Sequence, residues 1–325
     1  MILMSPPCQP FTRIGLQGDV MDPRTKSFLH ILDILPSLKK LPKCILLENV
    51  KGFETSSARD KLIVALKNCG YVYQEFLLSP TCIGIPNSRL RYFLIAKHKL
   101  EPLCFQVTTQ ILDRFPEDLN TTNLESSSCI HEDVTRCGTS QQIQNSSDNC
   151  CKEHPEKKDF VFKMETEEEV TRKQNQDNNK SIQELHNYLE KDVELNMSLY
   201  LIPPKSLLRY ALIMDIVKPT SRRSICFTKG YGHYIEGTGS VLQTAHEVEI
   251  ETAFKSWDSL SEEEKLKQLS LLHVRYFTPR EIANIHGFPV EFSFPDNVTV
   301  KQRYRLLGNS LNVHVVSKLI SLMLR

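Results

Sequence analysis

The amino-acid sequence predicts an α/β fold interrupted by a smaller inserted module, and three observations lead to it. Residues 1–100 alternate short apolar runs with stretches of helical spacing. Residues 101–197 break that rhythm with a long polar tract, and residues 198–270 then carry a Thr-, Tyr- and Gly-rich stretch before residues 271–325 return to helical patterns.

The elements follow in order. Residues 1–5 are a short apolar run and read as a strand, residues 27–38 have helical spacing, and residues 44–47 form a second apolar strand that ends in Glu48-Asn49-Val50. Residues 58–68 place Leu62, Ile63 and Leu66 at helical spacing with Gly70 as the stop, and residues 71–79 and 91–96 follow as strands. Parallel strands joined by crossover helices are the expected architecture. Residues 117–196 are crowded with Asn, Gln, Ser, Glu and Lys, and a partly disordered insertion is expected there. Structure resumes at Ile202-Pro203-Pro204-Lys205 and the apolar-rich residues 207–217, and residues 222–243 have the composition of hairpins. Ser261-x-x-Glu264 predicts a capped helix over residues 262–272, Thr278-Pro279-Arg280-Glu281 predicts another with Pro at its first position, and Gly308-Asn309 introduces an amphipathic helix over residues 310–324.

Composition narrows the function classes. With 325 residues, 40% hydrophobic and 24% charged, the chain suits one large domain or two ordinary soluble ones. Its formal net charge of +1 means that contact with nucleic acid must come from local basic patches. Ten cysteines are too sparse for a disulfide scaffold and no charged-then-apolar leader precedes them, so reduced thiols in the cytoplasm or nucleus are expected. The apolar runs fall well short of the roughly 20 residues of a bilayer span, and no membrane association is expected. Cys129, His131, Cys137, Cys150, Cys151 and His154 contain no C-x-x-C spacing, so no metal is expected. A cysteine hydrolase would pair Cys8 with a histidine, yet the early strand and helix units offer only His30 and His98.

Chemistry concentrates at three places. Ser5-Pro6-Pro7-Cys8-Gln9-Pro10 puts a cysteine on a stiff loop at the carboxyl end of a strand, where open α/β sheets bind ligands. A lone cysteine is usually an inert buried hydrophobe, so a partner is needed, and Glu48-Asn49-Val50 ends a second strand at the same sheet edge. Asn87-Ser88-Arg89-Leu90-Arg91 opens a third strand, and alternation puts Arg89 and Arg91 on one face.

In this order the three motifs resemble the cytosine-5 methyltransferase family. Cys226-Phe227-Thr228-Lys229-Gly230-Tyr231, with Tyr234 and Gly237-Thr238-Gly239-Ser240, resembles the branch of that family that modifies tRNA-aspartate. Arg275-Tyr276-Phe277-Thr278-Pro279-Arg280-Glu281 with Gly287-Phe288-Pro289, and Arg305-Leu306-Leu307-Gly308-Asn309-Ser310, resemble the family's last two motifs. The resemblance implies an incomplete Rossmann-like domain dependent on S-adenosylmethionine, over residues 1–100 and 271–325, with a target-recognition region at 198–270. It implies methyl transfer to carbon 5 of a tRNA cytosine, with Cys8 as nucleophile at carbon 6, Glu48 on ring N3 and the exocyclic amine, and Arg91 with its neighbour Arg89 donating to the base carbonyl or bracing the site. It assigns Ser5, Asn309 and Ser310 to the cofactor, and it makes Arg222, Arg223 and Lys229 candidates for phosphate contacts and Tyr231 and Tyr234 candidates for stacking, the alternative for the tyrosines being that they pack the hairpin. DNA is a second candidate polynucleotide, and a monomer is expected.

Family members carry a Gly-rich loop and an acidic ribose ligand ahead of the Pro-Cys strand, and this sequence opens at that strand. Weak cofactor binding and slow or absent transfer are therefore expected of the chain as given, with a form that only binds tRNA, or is unstable, as the rival reading.

Overall fold

A computed structural model describes residues 1–12, 18–99, 103–116, 167–191, 196–245 and 247–325. The cysteines and histidines at 129–154 lie outside the described residues, as does most of the polar tract.

The first sheet contains β1 (Ile2–Met4), β2 (Cys44–Val50), β3 (Tyr71–Leu78) and β4 (Arg91–His98) in the order β1-β2-β4-β3, with helices α1 (Lys26–Ile34) and α2 (Ser57–Asn68) in the crossovers. β1 and β2 are parallel, but β4 runs antiparallel to both of its neighbours. The all-parallel expectation is thus corrected to a mixed sheet. The connection from β3 to β4 is too short to hold a crossover helix, and only an antiparallel return fits it.

β2 is buried along almost its whole length because both sheet faces are covered. Side chains alternate: Ile45 and Leu47 join Phe28, Leu32, Leu62 and Leu66 of α1 and α2 in one core, whereas Cys44 and Leu46 join Leu319, Leu322 and Met323 of the last helix in another. By the same parity Glu48 emerges on the face covered by that last helix.

Within the polar tract α3 (Glu167–Asn178) is helical, so the part of the tract that is described is ordered, with Lys173 of α3 held 3.2 Å from Asp215. Beyond it α4 (Pro204–Tyr210) precedes a small sheet of β5 (Ile216–Val217), β6 (Val241–Gln243) and β7 (Val274–Tyr276), with α5 (Ile250–Ala253) and α6 (Glu262–Ser270) between β6 and β7. The hairpins expected over 222–243 are instead a run of turns tied by an isolated Tyr231–Tyr234 bridge, with regular strand only at β6. The two predicted capping boxes are formed, at Ser261–Glu264 on α6 and at Thr278–Glu281 on α7 (Pro279–Ile285). A further capped helix, α8 (Val300–Asn309), was not anticipated, and the final helix, α9 (Val313–Leu324), starts at an Asn312 cap.

The two parts of the molecule share their walls. Phe227 and Tyr231 pack with Phe277, Ile282, Tyr304 and Leu307 of the α7–α8 region, and Ser88 at the approach to β4 bridges to Ile225. The segment over residues 222–243 is therefore fastened directly beside the carboxyl edge of β2.

Candidate active site

Parallel pairing of β1 with β2 sends both following loops off the same sheet edge, with Met4 opposite Leu47. Ser5 consequently stands opposite Glu48, and its hydroxyl donates to Glu48 Oε2 at 2.5 Å. The Pro-Pro-Cys loop is held by Asn49, whose amide donates to the Pro6 carbonyl at 3.3 Å. Cys8 precedes a single 3-10 turn, Gln9–Phe11, whose closing bond runs from Phe11 N–H to the Cys8 carbonyl at 2.9 Å. Gly52, at φ 110°, lets the turn after β2 pass under this segment: a Cβ there would lie 2.7 Å from the Phe11 carbonyl oxygen.

Cys8 and Glu48 open onto one cavity of about 1070 Å³ together with Arg24, Arg89 and Arg91. Glu48 is only 7% exposed, and the guanidinium of Arg91 lies 3.5 Å from its Oε1. Arg24, tied to Asp22 at 2.6 Å, lines the same cavity. This wall thus combines a half-buried thiol, a buried carboxyl and three guanidinium groups, a set able to activate a sulfur nucleophile and to neutralise charge developing on a heterocycle.

Arg89 is spent on the scaffold. It is 5% exposed, and its two terminal nitrogens donate to Cys226 Sγ at 2.8 Å, the Phe227 carbonyl at 2.9 Å, the Gly308 carbonyl at 3.2 Å and the Ser310 carbonyl at 2.6 Å. It braces the site, and the group positioned to reach a ligand is Arg91.

At the end of α8 and along α9 the same cavity is lined by Asn309, Ser310, Ser317 and Ser321 with the aliphatic side chains of Val313, Val316 and Ile320. That side carries neutral hydroxyl and amide groups, whereas Arg24 and Arg91 line the cavity with Cys8 and Glu48. A sulfonium cation joined to an amino-acid chain fits such a wall, and the cavity is large enough for a pyrimidine beside it. Asn309 is exposed and suited to this contact. Ser5 differs from expectation, since its hydroxyl is committed to Glu48, and the Ser310 hydroxyl is likewise turned inward onto the Leu307 carbonyl.

The residues expected to hold RNA divide. Arg222 pairs with Glu184 at 2.7 Å and Arg223 with Asp177 and Asp215 at 3.1 and 2.8 Å, so both serve internal ion pairs rather than phosphates. Tyr231 is 2% exposed, donates to the Ser240 carbonyl and accepts from Phe277 N–H, each at 2.8 Å, and cannot stack on a base. Lys229 and Tyr234 are exposed, the latter at 63%. Among the described residues no group of His, Cys, Asp or Glu could hold a metal, and no helix is long and apolar enough to cross a membrane. Two residues escaped the sequence reading: Arg24 stands in an ordinary Asp-Pro-Arg turn, and His286 carries no motif of its own beyond its place before Gly287-Phe288-Pro289.

Comparison with known proteins agrees with this geometry. The family model described as C-5 cytosine-specific DNA methylase matches residues 1–325. A Bos taurus protein named tRNA (cytosine(38)-C(5))-methyltransferase is 61% identical over 99% of this chain and 81% of its own length, and the Homo sapiens protein of the same name is 60% identical with the same coverage. A crystal structure of a Spodoptera frugiperda DNMT2 mutant superposes with a TM-score of 0.70 at 35% identity, covering 99% of this chain and 78% of that one. The chain belongs to the C-5 cytosine-specific DNA methylase family, whose methyl donor is S-adenosylmethionine.

Proposed function

We propose that this chain methylates carbon 5 of a cytosine in tRNA, at position 38 in the anticodon loop of tRNA-aspartate, through a covalent adduct with Cys8. The observation that carries the reading is the meeting of Cys8, Glu48 and Arg91 on one cavity. The printed names of the bovine and human relatives support the class of substrate. The aspartate tRNA rests on the resemblance carried by residues 226–240.

The chain's residues take the following parts. Cys8 attacks carbon 6 as thiolate, the ring gives up its aromaticity, and electron density moves to carbon 5 and toward N3. Glu48 shares a proton with N3 and accepts from the exocyclic amine, so the charge that develops on the ring is met by a group already held in place by Ser5 and Arg91. Arg91 donates to the base carbonyl. Asn309, with Ser317 and Ser321 of α9, would hold S-adenosylmethionine, which would supply an electrophilic methyl group to carbon 5. Loss of the carbon 5 proton to a base and expulsion of the Cys8 thiolate then restore the aromatic ring.

Attack from above the ring plane is impossible inside a stack, so the cytosine must be looped out, and an anticodon loop offers an unpaired one at small cost. Lys229 and Tyr234 are the surface groups proposed to meet the loop. The test is transfer of labelled methyl from S-adenosylmethionine to tRNA-aspartate by the full chain and by Cys8→Ala, with tRNA binding measured on both. Slow transfer by the chain and none by the variant, both binding tRNA, is expected; binding without transfer by either would overturn the reading in favour of a tRNA-binding protein.

A further inference from the structure

His286, just past the end of α7, is fully buried at 0% exposure, and its Nε2 has no hydrogen-bond partner. A ring nitrogen left unsatisfied in the interior costs free energy, and a folded protein that retains one calls for an explanation at the other nitrogen. That nitrogen, Nδ1, lies 3.1 Å from the Ser310 hydroxyl. The same hydroxyl lies 2.7 Å from the Leu307 carbonyl, which can only accept, so the arrangement that satisfies both contacts has the hydroxyl donating to Leu307 and Nδ1 carrying the ring proton toward the hydroxyl oxygen.

Ser310 is the hinge of the cavity wall. It closes α8, it lines the cavity, and its backbone carbonyl takes the shortest of the bonds from Arg89, 2.6 Å, while the same guanidinium holds the Phe227 carbonyl and Cys226. The surrounding backbone is tied to the same point: the His286 carbonyl accepts from Val313 N–H at 2.8 Å and the Ile285 carbonyl from the Asn312 amide at 3.1 Å. The imidazole also lies against the Phe227 ring, with centroids 6.4 Å apart. One side chain therefore touches the α8–α9 junction, which lines the cavity, and Phe227 of the recognition segment, which packs behind Arg89.

We infer that His286 is a positioning residue for methyl transfer: as the neutral Nδ1–H tautomer it fixes Ser310, and through the Ser310 carbonyl it fixes Arg89 between the recognition segment and the cavity wall. Burial first, and then the facing guanidinium groups of Arg89 and Arg91, push the imidazole down to about 3, which keeps it neutral throughout the physiological range. The catalytic consequence rests on the methyl-transfer reading above; the link from His286 to Ser310 does not.

Two measurements on the full chain separate them. In protein labelled with ¹⁵N-histidine, His286, assigned by its loss in His286→Asn, is expected to show a protonated Nδ1 and a bare Nε2 that do not change between pH 5 and 8, and Ser310→Ala is expected to shift both signals. In methyl transfer to tRNA, His286→Leu is expected to lower kcat on the order of 10–100-fold with KM for tRNA near wild type, and His286→Asn, which can donate from near the Nδ1 position, to recover most of the loss. The opposite tautomer, titration in that range, or signals indifferent to Ser310→Ala overturn the inference, as does a wild-type kcat in His286→Leu or an equal loss in the Leu and Asn variants. A wild-type chain inert in transfer overturns the methyl-transfer reading and leaves the nitrogen spectra to decide the His286–Ser310 link.

Discussion

Acid should destabilise this fold through His286 in a way that one substitution can isolate. The unfolded chain takes up the imidazole proton near 6.5, whereas the folded chain, with the ring buried and facing Arg89 and Arg91, refuses it until about 3. The folded-state value is depressed, so the contribution to stability is complete above the unfolded value and is lost as pH falls from there toward about 3. The unfolded state binds one more proton in that window, which amounts to about 2 kcal/mol lost by pH 5 and about 4 kcal/mol by pH 3. Other groups titrate as well, so the measurement is a difference: urea unfolding of the wild-type chain and of His286→Asn, at about pH 7.5 and at about pH 5. The stability advantage of the wild type over the variant should shrink by about 2 kcal/mol between the two conditions. An advantage that stays constant would show that the imidazole is solvated or already charged in the folded protein, and the argument for a neutral buried ring would fail.

Other outcomes are equally specific. Gly308→Ala places a Cβ 2.2 Å from Lys229 N and from the Thr228 carbonyl carbon, backbone atoms that cannot turn aside, and thermal unfolding should report a loss of more than about 2 kcal/mol; a wild-type midpoint would mean that α8 and the recognition segment do not touch there. Glu48→Gln should reduce methyl transfer by roughly 10²–10⁴-fold with the unfolding midpoint nearly unchanged, and retained turnover would remove Glu48 from the chemistry. Tyr231→Phe should cost about 1–3 kcal/mol of stability by stranding Phe277 N–H and the Ser240 carbonyl, with little direct effect on tRNA affinity. Tyr234→Ala should do the reverse, weakening tRNA binding by about 1–3 kcal/mol in a titration while leaving the melt unchanged.

The contrast between those two tyrosines shows what a sequence can carry. Both stand in one Gly-rich stretch with the same chemistry, yet Tyr231 is enclosed by Tyr276, Tyr304 and Phe227, partners supplied partly by distant helices, and Tyr234 is not. Arg222 and Arg223 misled for the same reason: their acids, Asp177, Glu184 and Asp215, lie 8 to 46 residues away, and the pairing exists only once the chain has folded. The Cys8–Glu48 meeting was legible because each residue ends an apolar run, and parallel neighbouring strands deliver their ends to one edge. The direction of β4 could not be taken from its apolar run, which reads alike in either sense, and was carried only by the short connection from β3. α8 escaped because its buried residues, Tyr304 and Leu307, are sparse, and Leu306 between them points outward at 54% exposure.

The adduct itself is the decisive object. A tRNA carrying 5-fluorocytidine at position 38 presents no carbon 5 proton to remove, so after methyl transfer the enzyme stays bound to the ring. Peptide mass spectrometry of the full chain incubated with this tRNA and S-adenosylmethionine should find the methylated fluoropyrimidine on Cys8. Its appearance on Cys226, or the absence of any adduct from a chain that methylates ordinary tRNA, would contradict the account.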